Sequence, residues 1–482
     1  GGVAAVPVLA LSLFVGGVST KIGTGGELVL DGNLKAEAIQ RANNTSKASG
    51  KAAGANVGIG TSLALTVAID KTTATTHRNI RAGGAVTFNT QGVTKSNTTA
   101  EAGVKGGQEE EDDDDDEDGD IDKTINDLLS FLKNYSDSQG TDNDSIPNAT
   151  PQSAETSEGK VNAAGAVALN IAVSSTTAYI PQNITIHSGS SLNLKSLNNV
   201  DAKALADAGT TKSDVGVGVA VAINAADVLN EAYIGKGVIV NANGLNIIVD
   251  MLELQPSDGE DPDAQHSFSA QSISGAGAGN VGIAGSVAIN VIINKALAHA
   301  DGLVVLTGRD VYISSISSAE NTANAGCSVE IGEDGSASVG VGASFATNVL
   351  VNDVLAYIDD NAQLTGAGLL NIKAELISDV QTIAIAGADP FTDILGKDPT
   401  SEAKYALDAA VALTVVVNTV KAYTGVDSTI DTNGSVEVLA DSISITLTRS
   451  EGNASGSQAA VGASLGLNIT VSDTEAAILG NG

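Results

Sequence analysis

Eight segments of this chain can be laid under one another, and that repetition limits its possible folds more than any other feature. LALSLFVGGVST from Leu9, LALTVAIDKTTA from Leu63, VALNIAVSSTTA from Val167 and VAINAADVLNEA from Val221 share one pattern. It recurs as VAINVIINKALA from Val287, FATNVLVNDVLA from Phe345, VALTVVVNTVKA from Val411 and LGLNITVSDTEA from Leu465. The fourth position is polar within an apolar stretch every time: Ser12, Thr66, Asn170, Asn224, Asn290, Asn348, Thr414 and Asn468. Eight residues later stands Thr20, then Ala74, Ala178, Ala232, Ala298, Ala356, Ala422 and Ala476. Successive anchors lie 54, 104, 54, 66, 58, 66 and 54 residues apart, which is a 54-residue unit lengthened by insertions of 50, 12, 4 and 12. Units of this kind add along one axis instead of closing into separate globules.

Within each unit the apolar residues alternate with period two, and β-branched types dominate, so the units are read as strands. After the Ala comes a turn and then an apolar pair two residues apart: Leu28/Leu30, Val86/Phe88, Leu192/Leu194, Leu245/Ile247, Val311/Ile313, Leu370/Ile372 and Val436/Val438. One unit with small side chains encloses too little surface to be stable alone, whereas stacked units bury a continuous core. The predicted fold is therefore all-β, a parallel β-solenoid of about eight 54-residue repeats with an acidic loop-plus-helix insertion. In such a stack Thr66, Asn170, Asn224, Asn290, Asn348, Thr414 and Asn468 form an internal ladder, their polar groups bonding along the axis at about 4.8 Å spacing. The alternating Gly-Val and Ala-Val strands point to closely packed sheets. Two arrangements remain open: one coil per unit with a protruding hairpin, or two coils of about 27 residues.

Composition agrees with thin, layered packing. Apolar residues make up 42%, aromatics only 3%, and Trp is absent, so Val, Ile, Leu and Ala are expected to fill the interior. Twenty-four basic residues face 57 acidic ones, a formal net charge of −33, and five scattered Arg make no phosphate-binding cluster, which argues against nucleic acid as a partner. Cys327 stands alone and can form no intrachain disulfide. No uninterrupted apolar stretch reaches the length of a membrane span. The opening GGVAAVPVLALSLFVGGV fits the repeat better than a signal peptide.

The chain divides into solenoid repeats over 1–104, an acidic insertion over 105–155, and further repeats over 156–482. Three insertions, about 105–155, around Glu330 to Ser336, and Asp389 to Glu402, fall at equivalent points and so align on one edge, where specific recognition is expected. A fourth, Gln255 to Asp263, is assigned to another corner. In the largest, Asp114, Asp116, Asp118, Gly119, Asp120 and Asp122 resemble the first nine positions of an EF-hand loop, although Ile125 stands where that loop needs a bidentate Glu. Calcium is thus the one candidate cofactor, and a solvated acidic loop is the alternative. Ile121, Ile125, Leu128, Leu129 and Leu132 follow helical spacing.

Catalysis is not expected. His77, His187, His266 and His299 are dispersed, no HExxH or GxSxG occurs, and acidic pairs such as Asp359 and Asp360 read as solvated faces. The stretches VGVGVAVAIN, VGIAGSVAIN and VGVGASFATN, with their AYI and LNI strands, resemble repeats of very large bacterial secreted filamentous adhesins, the leukotoxin-like and filamentous-haemagglutinin-like groups. That resemblance implies an extracellular or cell-surface rod with a structural or adhesive role, other copies or neighbouring repeats end to end, and a cell-surface or glycan ligand held by the edge insertions. The alternatives are a calcium-responsive filament module and a polysaccharide-acting β-helix enzyme.

Overall fold

The computed structural model describes residues 2–54, 56–105, 159–211, 213–254, 264–306, 309–331, 339–387 and 403–480. The acidic run, Ile121 to Leu132 and most of each insertion lie outside them. The described chain is a parallel β-solenoid in which each 54-residue unit makes one coil. A long strand runs along one broad face, a short strand turns the corner, and a second long strand returns along the opposite face.

The first broad face, sheet A, is built by β1 (Val3–Ile22), β4 (Val57–Thr76), β7 (Gly159–Ile180), β10 (Ser213–Ala242), β13 (Val281–Leu306), β15 (Val339–Ile358), β18 (Ala403–Thr424) and β21 (Gly456–Ile478), adjacent in that order. Sheet B, the second face, stacks β3 (Leu34–Ala52), β6 (Val86–Lys105), β9 (Ser191–Thr211), then β11 (Gly244–Met251) with β12 (His266–Ala278), β14 (Val311–Ile331), β17 (Leu370–Gly387) and β20 (Val436–Asn453). The narrow side is made by β2 (Leu28–Leu30), β5 (Ile80–Ala82), β8 (Thr185–Ser188), the far ends of β10 and β13, β16 (Gln363–Ala367) and β19 (Thr429–Thr432). Every pairing is parallel and follows the repeat, so that Leu63 lies beside Val167, Val221 beside Val287 and Val411 beside Leu465.

Register revises two sequence-based expectations. Leu34, not Leu28, pairs with Val86, and Leu28 pairs with Ile80 on the narrow side, so the first coil's counterpart of Val86/Phe88 is Leu34/Ala36. The insertion near 255–263 lies between β11 and β12, which both pair with β9, so it interrupts the middle of sheet B and not a corner. The interior is filled by Val, Ile, Leu and Ala, as composition suggests, but in separate layers. Beside the narrow side Ile80, Ile186, Val240, Val304 and Leu364 stack in one column over Phe88, Leu192 and Leu194, and beside the amide rows Val228, Ile292, Leu350 and Val416 of sheet A form a second apolar cluster with Val200, Phe268 and Val380 of sheet B. Further from that side the sheets back on one another through Ala64, Ala168, Ala222 and Ala288 against Ala100, Ala206 and Ala325. There the alternation turns Val, Ile and Leu of sheet A outward.

Backbone contact sets this thinness. A Cβ added at Gly60 would stand 2.6 Å from the Gly103 carbonyl oxygen, and one at Gly216 2.7 Å from that of Gly277. Only glycine permits the sheets to approach so closely. Elsewhere the non-glycine residues Asn183, Asn361 and Asp427 take positive φ at turns, a conformation that short polar side chains tolerate.

The anchor column runs through this slab. Thr66, Asn170, Asn224, Asn290, Asn348, Thr414 and Asn468 are successive register partners. The Nδ2 of Asn170 donates to Asn224 Oδ1 at 2.9 Å, Asn224 to Asn290 at 2.9 Å, and Asn290 to Asn348 at 3.2 Å. The amide chain ends there: Asn348 donates to the carbonyls of Asn321 and Gln381 in sheet B, at 3.1 and 3.4 Å. The threonines leave the chain too. Thr66 donates to Asn97 O at 3.4 Å, and the Thr414 hydroxyl pairs with Thr382 and Thr448. Four residues further on, Asn294 donates to Asn352 at 3.2 Å and Asn352 to Asn418 at 2.9 Å, a second amide row.

Replacing Asn290 by Ala deletes a bond on each side and leaves the Asn224 donor and the Asn348 acceptor facing a void. The expected cost is about 2–4 kcal/mol, since each buried polar group left unpaired costs about 1–3 kcal/mol. Urea unfolding of Asn290→Ala against the parent checks this, and an unchanged midpoint would contradict a role for the amide row in stability.

Candidate functional site

Sheet A turns an apolar face to solvent. Reading outward positions from Val57 to Ile69, seven columns cross eight coils, and Asp227 is the only charged residue in them. The column through Leu65 shows the type: Leu11, Leu65, Leu169, Ile223, Ile289, Thr347, Leu413 and Leu467. Even inside the stack these side chains are well exposed, as Val219 at 43% and Ile293 at 40% show. The strands are near-continuous apolar runs because small residues pack inward and branched ones stand outward.

Sheet B is polar outside. Lys47 pairs with Glu101 at 2.7 Å and Lys95 with Asp201 at 3.1 Å, both between neighbouring coils. Asn246 donates to Asn193 Oδ1 at 2.7 Å, and Asn193 to Thr87 at 3.2 Å. A shallow depression of about 310 Å³ lies beside this row, lined by Lys35, Asn89, Gln91, Asn193, Lys195 and Asn246 among others.

An aromatic column closes the apolar face on the side of the narrow strands. Tyr179, Tyr233, His299, Tyr357 and Tyr423 stack in succession with centroids 4.8–5.1 Å apart and planes within 12°. The strand spacing of a parallel stack is close to the separation of stacked rings, so one aromatic per coil forms a continuous pile. Four of the seven tyrosines stand in this one column.

His299 sits in the middle of the pile. Its Nδ1 lies 2.9 Å from Asp359 Oδ2 and its Nε2 3.7 Å from Glu231 Oε1. Burial of the ring works against its charge, but the hydrogen bonds and charges of Asp359 and Glu231 outweigh that and hold the pKa up at about 9. The ring is thus an imidazolium between two tyrosine faces, an arrangement stabilised by cation–π attraction. Burial together with the neighbouring Glu231 pushes the Tyr233 hydroxyl up to about 12, so it stays protonated. At neutral pH a pKa near 9 keeps both ring nitrogens of His299 protonated, facing Asp359 and Glu231.

The other histidines are elsewhere. His266 is buried in sheet B, where burial lowers its pKa to about 3 and its neutral Nδ1 accepts the Val200 amide at 3.0 Å. Cys327 is buried with its thiol pushed up to about 12, first by desolvation. Asp359 joins His299, whereas Asp360 accepts the Val426 amide at 2.7 Å. Among the described residues no group of three His, Cys, Asp or Glu is arranged to hold a metal ion. The candidate calcium ligands Asp114, Asp116, Asp118, Asp120 and Asp122 lie outside the described residues.

Two features escaped the sequence reading although their signals were present. The aromatic column is the residue after the repeated Ala, and the second amide row stands four positions after the anchor. No family model, curated protein or solved structure matches this chain.

The His299 arrangement sets a pH dependence with a definite sign. Its native pKa lies above the ordinary 6.5, so its contribution is complete below pH 6.5 and is lost as pH rises through about 9. Comparing the parent with His299→Gln in urea at pH 6.0 and 9.5 should show a stability gap that narrows at the higher pH. A gap of equal size at both would contradict the ion pair.

Proposed function

We propose that this chain is a non-catalytic structural rod displayed at the cell exterior, serving as stalk, fibre subunit or adhesin. The observation that carries this reading is the continuous parallel pairing of eight sheet A strands, in which each inner strand is paired along its broad-face length on both sides. Such an object holds its shape through a repeated backbone ladder and presents long regular faces. Its resemblance to repeats of secreted filamentous adhesins points the same way. A surface or glycan ligand would be taken by the segments inserted at the corner between the sheet B strands and the next sheet A strands, after β6, β14 and β17. Association of calcium with Asp114, Asp116, Asp118, Asp120 and Asp122 is proposed on the sequence alone, as a modulator of contacts between rods.

Protease treatment of intact producing cells tests the reading. The rod should be cut from intact cells and their attachment to a surface should fall with it. Protection until the cells are lysed would refute display at the exterior, and unchanged attachment after complete removal would refute the adhesive role.

A further inference from the structure

We propose that the outer face of sheet A docks against the same face of a second copy of this chain, the two sheets meeting as a dry pair related by a two-fold axis. This goes beyond end-to-end stacking, and it does not depend on where the rod is displayed.

The first argument is the direction of the side chains. Parallel sheets are ordinarily covered on both faces, and near-continuous apolar runs such as VGVGVAVAIN are the mark of strands so covered. Here sheet B covers only the inner face, which carries the Ala, Gly and Asn columns. The outer columns keep Val219, Val291, Ile283 and Ile293 between 38 and 43% exposed.

Area supplies the second argument. Thirteen residues along each strand and eight coils across give a face of about 40 Å by 34 Å, or roughly 1,300 Å² on each copy. Typical stable interfaces take about 800 Å² from each partner, and exposed apolar patches beyond about 600 Å² mark sites of association.

The lattice of the face selects the occupant. Side chains stand in rows at the strand spacing, with ridges and grooves repeating every coil. A second copy brings ridges of the same period, so the rows interdigitate along the whole face, as the inner faces of sandwiched sheets do. Asp227, alone among the seven columns, lies in the column nearest the edge, so a paired face can leave its carboxylate at the wet rim. A lipid surface has no matching period and cannot interdigitate with these rows.

Sedimentation velocity of the full chain at micromolar concentration and physiological salt tests the proposal, with Val219→Lys/Ile293→Lys as the face variant. Ile377→Lys, on the polar face of sheet B and 41% exposed, is the control. The parent and control should sediment as dimers, while the face variant sediments at half that mass with unchanged circular dichroism and a urea midpoint that no longer depends on protein concentration. Either of two results would overturn the proposal: a monomeric parent, with flotation on phosphatidylcholine vesicles that the face variant lacks marking a lipid-facing surface instead, or association that survives in the folded face variant, as end-to-end stacking would. If the face variant fails to fold, Val219→Ser/Ile293→Ser replaces it, with at least a tenfold weaker dimer expected and unchanged affinity counting against the proposal.

Discussion

Where the two sheets back on one another through alanine and glycine, the gap holds little beyond a methyl group or a planar amide, and much of the molecule follows from that spacing. Gly60 opposite Gly103 and Gly216 opposite Gly277 bring the backbones together. Over that stretch the inward positions of sheet A are small, or flat and able to bond along the axis, and only past the anchor column do Ile292, Leu350 and Val416 stand inward. Asn meets both requirements, because its carboxamide donates to the coil on one side and accepts from the coil on the other. The row Asn170, Asn224, Asn290, Asn348 uses this property directly. A buried polar residue placed singly in such a slab would lack partners; placed in every coil, it supplies its own.

The same spacing fixes the surfaces. With small residues committed to the interior, the branched apolar residues needed for strand formation occupy the outward positions, and sheet A becomes apolar on its free side. Sheet B carries lysines, carboxylates and amides outward, so the rod has one apolar and one polar broad face. Large side chains enter the interior around Ile186, Leu192 and Leu194, where the narrow strands hold the sheets apart, and around Phe268, Ile292 and Leu350 beside the amide rows. Stacking also determines the aromatic column: once one ring is placed per coil, the fold sets its neighbour about 5 Å away. His299 replaces a tyrosine in that pile at the level where Glu231 and Asp359 supply the opposing charge.

The parallel solenoid and the anchor positions were legible in the sequence because the 54-residue period repeats in two registers at once, at Asn170 and Ala178 and their equivalents. The direction in which each residue points was harder to see. Val221 and Asn224 lie in one strand, and period two alone does not say which set faces the opposite sheet; only the glycine contacts across the slab decide it. Leu28/Leu30 was misplaced because the first coil repeats the Leu-x-Leu spacing on its narrow side, six residues before the true counterpart at Leu34. The second amide row was less visible because its column also contains Gly16, Asp70, Ser174 and Val228.

One coil per unit is the premise of this whole arrangement, and a distance along the polar face tests it. Lys35 and Glu437 are exposed and stand in one column, joined through Thr87, Asn193, Asn246, Tyr312 and Asn371. Spin labels at Lys35→Cys and Glu437→Cys, in a Cys327→Ala chain diluted with unlabelled protein, can be measured by double electron–electron resonance. Six coil steps place the two backbones about 29 Å apart. A narrow distribution near that value supports the single-coil stack, whereas one near 58 Å, as two coils per unit require, or a broad distribution without a peak would contradict it.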